Sequence, residues 1–328
     1  MPTLLFSGNK LIYLTVKISI ICLLSACSPD FNSVPPSVPS TPGISGHIFT
    51  SYDNTKLPLK AWLPDNEIEG VIIAVHGFND YSNFIKDAAL FFNKKKLAVY
   101  SYDQRGFGET GSRGRWSGRQ ALSSDLITLV KLIKERHLHK PIYILGDSMG
   151  GAVSIVAMSE DGAPAIDGVI LVAPAVWARS EMPFYQRWIL WLASHTIPWK
   201  KVTGKYLEIT ASDNIEMLKE LGRDPLVIKE TRVDVLYGLS NLMDEAYNSA
   251  ELLKARVLIL YGKKDEIIPE KPVFEFYKRL PAGGQGQQEI ILYENGYHML
   301  TRDLQAETVI KDIVYWINGY GKHPVLAR

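Results

Sequence analysis

The sequence predicts an α/β fold with a mostly parallel, doubly wound sheet and a helical cap inserted between two strands. Short apolar runs rich in Val, Ile and Leu recur along residues 44–174 and 254–328, and such runs form parallel strands that are covered on both faces. Helical patterns alternate with these runs, as in a doubly wound sheet. Residues 175–253 interrupt the alternation with too much chain for one crossover, which predicts the cap.

The composition fits an ordinary globular protein. The chain has 328 residues, of which 46% are hydrophobic and 22% charged, enough for one large α/β domain with an insertion. Its formal net charge of +1 provides no basic excess to neutralise a phosphate backbone, so a nucleic-acid partner is not expected.

Residues 1–27 have the pattern of an export signal. Lys10 and Lys17 precede the apolar run "ISIICLLSAC", which is too short to span a bilayer and is typical of a signal-peptide core. Its end, "LSAC" at 24–27, resembles the lipobox of bacterial lipoproteins, which implies that Cys27 is lipidated after cleavage. Ordinary cleavage near Ala26, with an incidental cysteine, is the alternative.

A lipidated Cys27 implies an exported lipoprotein anchored in a membrane on the periplasmic side. Ser28 gives no inner-membrane retention signal of the aspartate kind, which favours the outer membrane. Cys22 would leave with the signal peptide, and a folded part without thiols has no disulfide or metal–thiolate site. Residues 28–43 contain five prolines and are expected to form an extended tether that reaches up to roughly 50 Å.

The predicted strands and helices follow in order. "HIFTSYD" and "LPLKAWL" are expected to form an initial antiparallel pair, and the later strands are "VIIAVHG", "LAVYSYD", "PIYILGD", "GVILVAP", "RVLILYG" and "QEIILYE". The helices of the core are expected at about 83–94, 119–136, 149–160, 269–280 and 303–319.

The first helical pattern of the cap, "MPFYQRWILWLASHTIP", is rich in large apolar residues, and two further patterns follow it. We favour the interpretation that these side chains pack the cap against the core. Alternatively, they surround an acyl pocket or contact a membrane surface, in which case Met182, Trp188 and Trp191 would bind substrate.

A candidate nucleophile lies where the strand "PIYIL" meets the helical pattern "AVSIVAMSE". The stretch "GDSMG" at 146–150 matches G-x-S-x-G, in which a serine occupies a sharp strand-to-helix turn that needs small residues two positions away on either side. A serine that is only a small loop residue would not require this context. We therefore predict Ser148 as a nucleophile.

A serine hydroxyl needs a general base, and the base needs an orienting acid. On this type of sheet the base follows the nucleophile in the chain. Three histidines follow Ser148, at positions 195, 298 and 323. Only His298 comes just after a predicted strand, so we predict it as the base and expect His195 and His323 at the surface.

The acid is expected after the preceding strand. Asp265 follows "VLILYG", and we prefer it to its neighbour Glu266 because the apolar "IIP" that comes next resembles the entry to a helix. Asp213 and Asp244 fall in the cap and follow no strand. An oxyanion would be held by the backbone N–H groups of Met149 and Phe78, with His76 shaping the loop before Phe78.

Five motifs together resemble one family. They are "HGF" at 76–78, "YDQRGFGETG" at 102–111, "GDSMGG" at 146–151, "GKKDEIIP" with Asp265 and "GYHML" with His298. Over about residues 45–320 the chain resembles the monoacylglycerol lipase and lysophospholipase-like branch of the α/β-hydrolases, of serine aminopeptidase S33 type; "RDPL" at 223–226 also fits it. The resemblance implies the α/β-hydrolase fold and hydrolysis of a single-chain lipid ester under the cap, with no cofactor and no metal.

The sequence departs from that family at two places. Asp147 replaces the usual histidine before the nucleophile, which alters the polarity of the pocket. Asn79 and Asp80 replace a glycine and a glutamate, and Asp80 either meets a glycerol-like head group or has a surface role. Asp103 and Arg105 are expected to shape a loop near the site.

Three other functions stay open at this point. The enzymatic alternatives are a short-chain carboxylesterase and an S33-type peptidase. The non-enzymatic alternative is a lipoprotein that uses an inactive hydrolase fold for binding; it would not need the complete set of predicted catalytic residues that this chain carries.

Overall fold

The computed structural model describes residues 41–204, 208–281 and 288–319. The strands are β1 Gly43–Ser45, β2 Ile48–Thr50, β3 Lys56–Trp62, β4 Gly70–Val75, β5 Leu97–Tyr102, β6 Ile142–Asp147, β7 Gly168–Val172, β8 Lys201–Val202, β9 Thr231–Arg232, β10 Val257–Gly262 and β11 Gln288–Tyr293. The α-helices are α1 Lys86–Asn93, α2 Arg119–Arg136, α3 Met149–Ser159, α4 Phe184–Thr196, α5 Ile215–Arg223, α6 Val233–Asn248, α7 Glu270–Arg279 and α8 Ala306–Ile317. The predicted signal peptide, Cys27, His323 and all but the end of the tether lie outside the described residues.

Nine of the strands form one sheet in the order β1-β2-β3-β5-β4-β6-β7-β10-β11. The pairings from β1 through β3 to β5 are antiparallel, and the pairings from β5 to β11 are parallel. The predicted doubly wound α/β-hydrolase sheet is therefore confirmed. Its parallel arrangement brings the carboxyl ends of β4, β6, β10 and β11 to one edge, where residues from distant parts of the sequence can meet.

Helices cover both faces of the sheet because the central strands are apolar on both sides. Every residue of β4, β5, β6, β7 and β10 is buried. Successive residues point to opposite faces: Ile73 belongs to the apolar cluster that includes side chains of α2, α3, α6 and α7, whereas Ile72 belongs to the cluster that includes side chains of α1 and α8.

The five core helices begin and end within a few residues of their predicted bounds, and α2 begins and ends at the predicted residues. The three helical patterns of the cap also form helices, α4 to α6. One of them has a different position from the one expected: α6 packs on α2 and α3 and contributes Leu242 and Ala246 to the core of the sheet. The rest of the insertion is formed by α4, α5 and the small antiparallel pair β8–β9.

A buried ion network attaches the amino-terminal hairpin to the core. The Arg105 guanidinium donates to both carboxylate oxygens of Asp53, at 2.6 and 2.8 Å, and to both of Asp125, at 2.7 Å each. All three side chains are at most 4% exposed. Arg105 is therefore structural, as predicted. None of the helices in the described parts of the chain is both long and apolar enough to cross a bilayer.

Candidate active site

Ser148 lies on a strained turn between β6 and α3. Its φ of 49° and ψ of −112° are unfavourable for a residue with a Cβ atom, and such strain concentrates at functional sites. The turn is possible because glycines surround it. A Cβ atom on Gly146 would lie 2.6 Å from the carbonyl oxygen of Gly150, and a Cβ atom on Gly150 would lie 2.0 Å from that of Val75. The G-x-S-x-G pattern is thus required by the packing of the turn.

The structure brings the three residues predicted as nucleophile, base and acid together. His298 Nε2 lies 2.9 Å from Ser148 Oγ, and His298 Nδ1 lies 2.7 Å from Asp265 Oδ2. The His298 and Asp265 side chains are 7% and 0% exposed. This continuous hydrogen-bonded chain joins the ends of β6, β10 and β11 and has the geometry of a nucleophile, base and orienting acid.

Asp265, not Glu266, occupies the acid position. Asp265 Oδ1 accepts hydrogen bonds from the N–H groups of Ile267 and Ile268, at 2.8 and 3.0 Å, which leaves Oδ2 for the histidine. The Glu266 side chain accepts a bond from the Thr210 N–H at 2.7 Å. Because Asp265 uses both oxygens, its orientation and that of the imidazole are fixed together.

The electrostatic surroundings of His298 favour its protonated form. Burial alone would lower the pKa of His298, but the hydrogen bond from its ring to Asp265 and the charge of that carboxylate raise it above the ordinary 6.5. Asp147 adds to this effect, and Arg302 opposes it. The site therefore stabilises the imidazolium that forms when a base takes a proton.

His76 fixes the loop after β4, where Phe78 is predicted to help to form an oxyanion hole. Its Nδ1–H donates to the Gly77 carbonyl at 2.8 Å, its Nε2 accepts from the Gln104 N–H at 3.0 Å, and the Gln104 side chain donates to the His76 carbonyl at 2.8 Å. Burial lowers the pKa of His76, so the ring stays neutral. His76 therefore shapes the loop, as the sequence predicted, and is not a second base.

Asp80 is buried, which excludes the surface role that the sequence left open as the alternative to contact with a head group. The residue is 6% exposed, its Oδ1 accepts from the Tyr81 N–H at 2.9 Å, and its Oδ2 lies 2.8 Å from the Arg302 guanidinium. Arg302 also lies 3.9 Å from Asp147 Oδ2. Sequence reasoning missed Arg302, and its position four residues after His298 was the one available signal.

The large apolar residues of α4 do not pack the cap against the core, so the interpretation we favoured is wrong for them. Phe184 is 68% exposed, Trp188 65%, Ile189 64%, Leu192 53% and Trp191 40%. Met182, just before the helix, does pack against the core. His195 is half-buried, with its ring stacked on Trp191 at 4.6 Å between centroids. The exposed residues follow helical spacing and form an apolar face on the cap, which we call the α4 face.

Comparison with known proteins assigns the chain to a family. The sequence profile described as "Serine aminopeptidase, S33" matches residues 66–305, which is more than half of the chain. The chain belongs to this family. A monoacylglycerol lipase of Mycolicibacterium smegmatis is 25% identical over 290 residues, which cover 83% of this chain and 96% of that protein.

Two further similarities extend the comparison. A monoglyceride lipase of Rattus norvegicus is 24% identical over 271 residues, covering 81% of this chain and 88% of the rat protein. The crystal structure of a soluble variant of the Saccharomyces cerevisiae monoglyceride lipase, in complex with a substrate analogue, superposes with a TM-score of 0.70 at 20% identity. The superposition covers 90% of this chain and 99% of the yeast chain, and at that identity it supports the fold.

Proposed function

We propose that the protein is a serine hydrolase that cleaves the carboxylic ester of single-chain lipids, monoacylglycerols or lysophospholipids, through an acyl-enzyme. The protein is an ester hydrolase of the α/β-hydrolase family. The observation that supports the serine mechanism is the hydrogen-bonded chain from Ser148 through His298 to Asp265. Its nucleophile lies on a strained turn, as acyl transfer by this fold requires. The lipases among its relatives support the lipid substrate.

The reaction would proceed in two steps. Ser148 Oγ attacks the ester carbonyl carbon while His298 Nε2 takes its proton, and the C–O bond to the alcohol breaks as the imidazolium returns that proton to the leaving oxygen. Water, deprotonated by His298, then attacks the acyl carbonyl carbon. The bond from that carbon to Ser148 Oγ breaks as the imidazolium returns the proton to Oγ, which releases the fatty acid and restores the enzyme. Asp265 holds the imidazole in the required tautomer and stabilises its cation.

The oxyanion would be held by the backbone N–H groups of Phe78 and Met149. Met149 is the first residue of α3, where N–H groups have no acceptor within the helix. Phe78 follows the loop that His76 fixes. Each such donor contributes about 3 kcal/mol to stabilisation of the transition state.

The α4 face would bring the cap to a lipid surface. Large exposed apolar patches on soluble domains mark surfaces that contact membranes, ligands or other proteins. We expect Trp188→Ser to weaken binding to phosphatidylcholine vesicles and hydrolysis of vesicle-borne lipid while hydrolysis of a water-soluble ester is unchanged. Leu138→Ser is the matched control, because Leu138 is equally exposed, at 67% against 65% for Trp188, but lies beyond α2. Equal effects of the two substitutions would contradict this role.

The proposed reaction is tested by comparing residues 28–328 with their Ser148→Ala variant. The panel contains monoacylglycerols, lysophospholipids, short-chain p-nitrophenyl esters and aminoacyl-p-nitroanilides. We expect wild type to release fatty acid and the variant to lose about 10⁴-fold to 10⁶-fold of the rate. Cleavage of the anilides alone would favour an aminopeptidase, and an inert wild type would favour a binding lipoprotein.

An aminopeptidase needs a carboxylate that is free to bind the ammonium group of its substrate. Two acids on the loops around the triad, Asp80 and Asp147, both face Arg302. This pairing favours the ester over the peptide substrate.

We further propose that lipidated Cys27 holds the enzyme at a membrane beside its substrate. Metabolic labelling with a clickable palmitate analogue should mark wild type and not Cys27→Ser. Labelling that persists in the variant would exclude Cys27 as the anchor.

A further inference from the structure

One arginine connects three loops of the site. Arg302 follows the loop of the base His298, Asp80 belongs to the loop of Phe78, and Asp147 is the residue before the nucleophile. The Arg302 guanidinium lies 2.8 Å from Asp80 Oδ2 and 3.9 Å from Asp147 Oδ2. The three side chains are 11%, 8% and 5% exposed. Their charges therefore act on one another with little screening by water.

The Asp147 carboxylate is not needed to hold the turn together. Its Oδ1 has no hydrogen-bond partner among the residues that the structure describes, and its Oδ2 reaches Arg302 only at 3.9 Å. A buried carboxylate with so few partners is costly for the fold. Burial raises the pKa of Asp147 to about 6, although Arg302 and His298 oppose the rise. At neutral pH, above that value, the carboxylate is mostly ionised.

We propose that Asp147 is a positioning residue for the reaction: its carboxylate, balanced by Arg302, acts with Asp265 to stabilise the imidazolium form of His298. This inference rests on the proposed serine mechanism. When His298 takes the Ser148 proton, it becomes a cation. Asp265 Oδ2 lies 2.7 Å from its Nδ1, and Asp147, buried and adjacent in the chain to Ser148, adds a second negative charge to the site. Arg302 limits the effect, because its positive charge opposes the imidazolium and keeps Asp80 and Asp147 from acting as an unbalanced acid pair.

Several charged groups act on His298 and Asp147 and contribute to the pH dependence of these two residues. Asp265, Asp147 and Arg302 act on His298, and Asp80 and Asp265 act on Asp147. Asp303, which accepts from Ser212 Oγ at 2.6 Å and the Tyr297 N–H at 2.8 Å, also interacts with the charge of His298. Of these groups, Asp147 can be neutralised without loss of a hydrogen bond that the structure shows.

The test measures kcat/KM for a soluble ester between about pH 5 and pH 9 for wild type, Asp147→Asn and Arg302→Gln. It compares the pH at which kcat/KM falls on the acidic side of the profile, the acidic limb. The Asp147 charge supports protonation of His298, so Asp147→Asn should move the limb to lower pH and lower the alkaline plateau several-fold. The Arg302 charge opposes protonation, so Arg302→Gln should move the limb to higher pH. Glu67→Gln is the matched control: it makes the same change in net charge on the exposed loop before β4 and should leave the limb in place.

Thermal unfolding and titration of reactive serine with a fluorophosphonate establish that each variant is folded and how much of it is active. A limb that does not move in folded Asp147→Asn, or that moves to higher pH, overturns the inference. If Asp147→Asn does not fold, the inference is judged on Arg302→Gln alone. An acidic limb of Arg302→Gln at the same pH as that of wild type, or at a lower pH, then overturns the inference. Failure of the serine mechanism itself is distinguishable, because Ser148→Ala would then retain activity.

Discussion

Replacement of Gly150 by alanine should disable the turn that carries Ser148. The new Cβ atom would lie 2.0 Å from the Val75 carbonyl oxygen, 2.5 Å from its carbonyl carbon and 2.7 Å from the carbonyl oxygen of His76. Ordinary contact begins at 3.4 Å, so an approach of 2.0 Å to the Val75 oxygen is a severe overlap. All three neighbours are backbone atoms at the end of β4 and cannot rotate away.

The overlap must be relieved by movement of α3 away from β4. Forced overpacking of a buried site costs about 1–3 kcal/mol of stability. A displacement of about 1 Å between reacting groups lowers a rate by about 10²-fold. The movement here separates Ser148 and Met149 on one side from His76 and Phe78 on the other. We therefore expect kcat/KM for a soluble ester to fall about 100-fold or more.

Gly151→Ala provides a matched control one residue along the same helix. Its Cβ atom would lie 3.1 Å from the Pro174 Cβ atom and 3.3 Å from the nearest backbone atoms, contacts that small shifts can relieve. The assay is steady-state hydrolysis of a p-nitrophenyl ester, normalised by the reactive serine that a fluorophosphonate titrates, with urea unfolding for stability. Equal activity of the two variants would refute the argument from backbone overlap.

Three further predictions follow from the hydrogen bonds and charges of the structure. Asp265→Asn should lower kcat about 10⁴-fold, because the amide favours the wrong tautomer of His298; steady-state kinetics measure this, and a loss below tenfold would contradict it. In wild type, kcat/KM should fall with decreasing pH through a value above 6.5, because Asp265 raises the pKa of His298; a limb below 6.5 would contradict it. Arg105→Met should reduce the free energy of unfolding by about 3–5 kcal/mol, because Asp53 and Asp125 remain buried without their cation; unchanged urea unfolding would contradict it.

The sequence could predict those parts of the site that depend on local patterns. The turn at Ser148 needs small residues at fixed positions between a strand and a helix, and this requirement is visible within six letters. His298 and Asp265 were found because each follows an apolar strand, and the carboxyl ends of parallel strands share one edge of the sheet. The same periodicity placed the core helices, since apolar residues that cover a sheet recur every three or four positions.

The exposure of the α4 face and the position of Arg302 depend on tertiary contacts that no local pattern specifies. An apolar helix has the same composition whether it packs on a core or faces outward, so Trp188 could be placed only by the structure. Arg302 meets Asp80 and Asp147 across separations of more than 150 residues in the chain. No residue next to either acid in the sequence indicates that the acid pairs with a cation.

Backbone hydrogen bonds between the cap and the catalytic loops were equally invisible in the sequence. The stretch 210–212 reaches both loops of the triad: the Thr210 N–H donates to Glu266, beside the acid, and the Met299 N–H, beside the base, donates to the Ala211 carbonyl at 3.1 Å. On the other side, the Ile228 N–H donates to the Asn79 carbonyl at 2.9 Å, next to Phe78. Residues 210–212 and Ile228, which flank α5, are thus bonded to the loops that would carry acid, base and oxyanion donor, whereas α4 comes before both of them in the chain. Changes at residues 210–212 or Ile228 should therefore alter the chemistry itself, and changes on the α4 face should alter which substrates reach it.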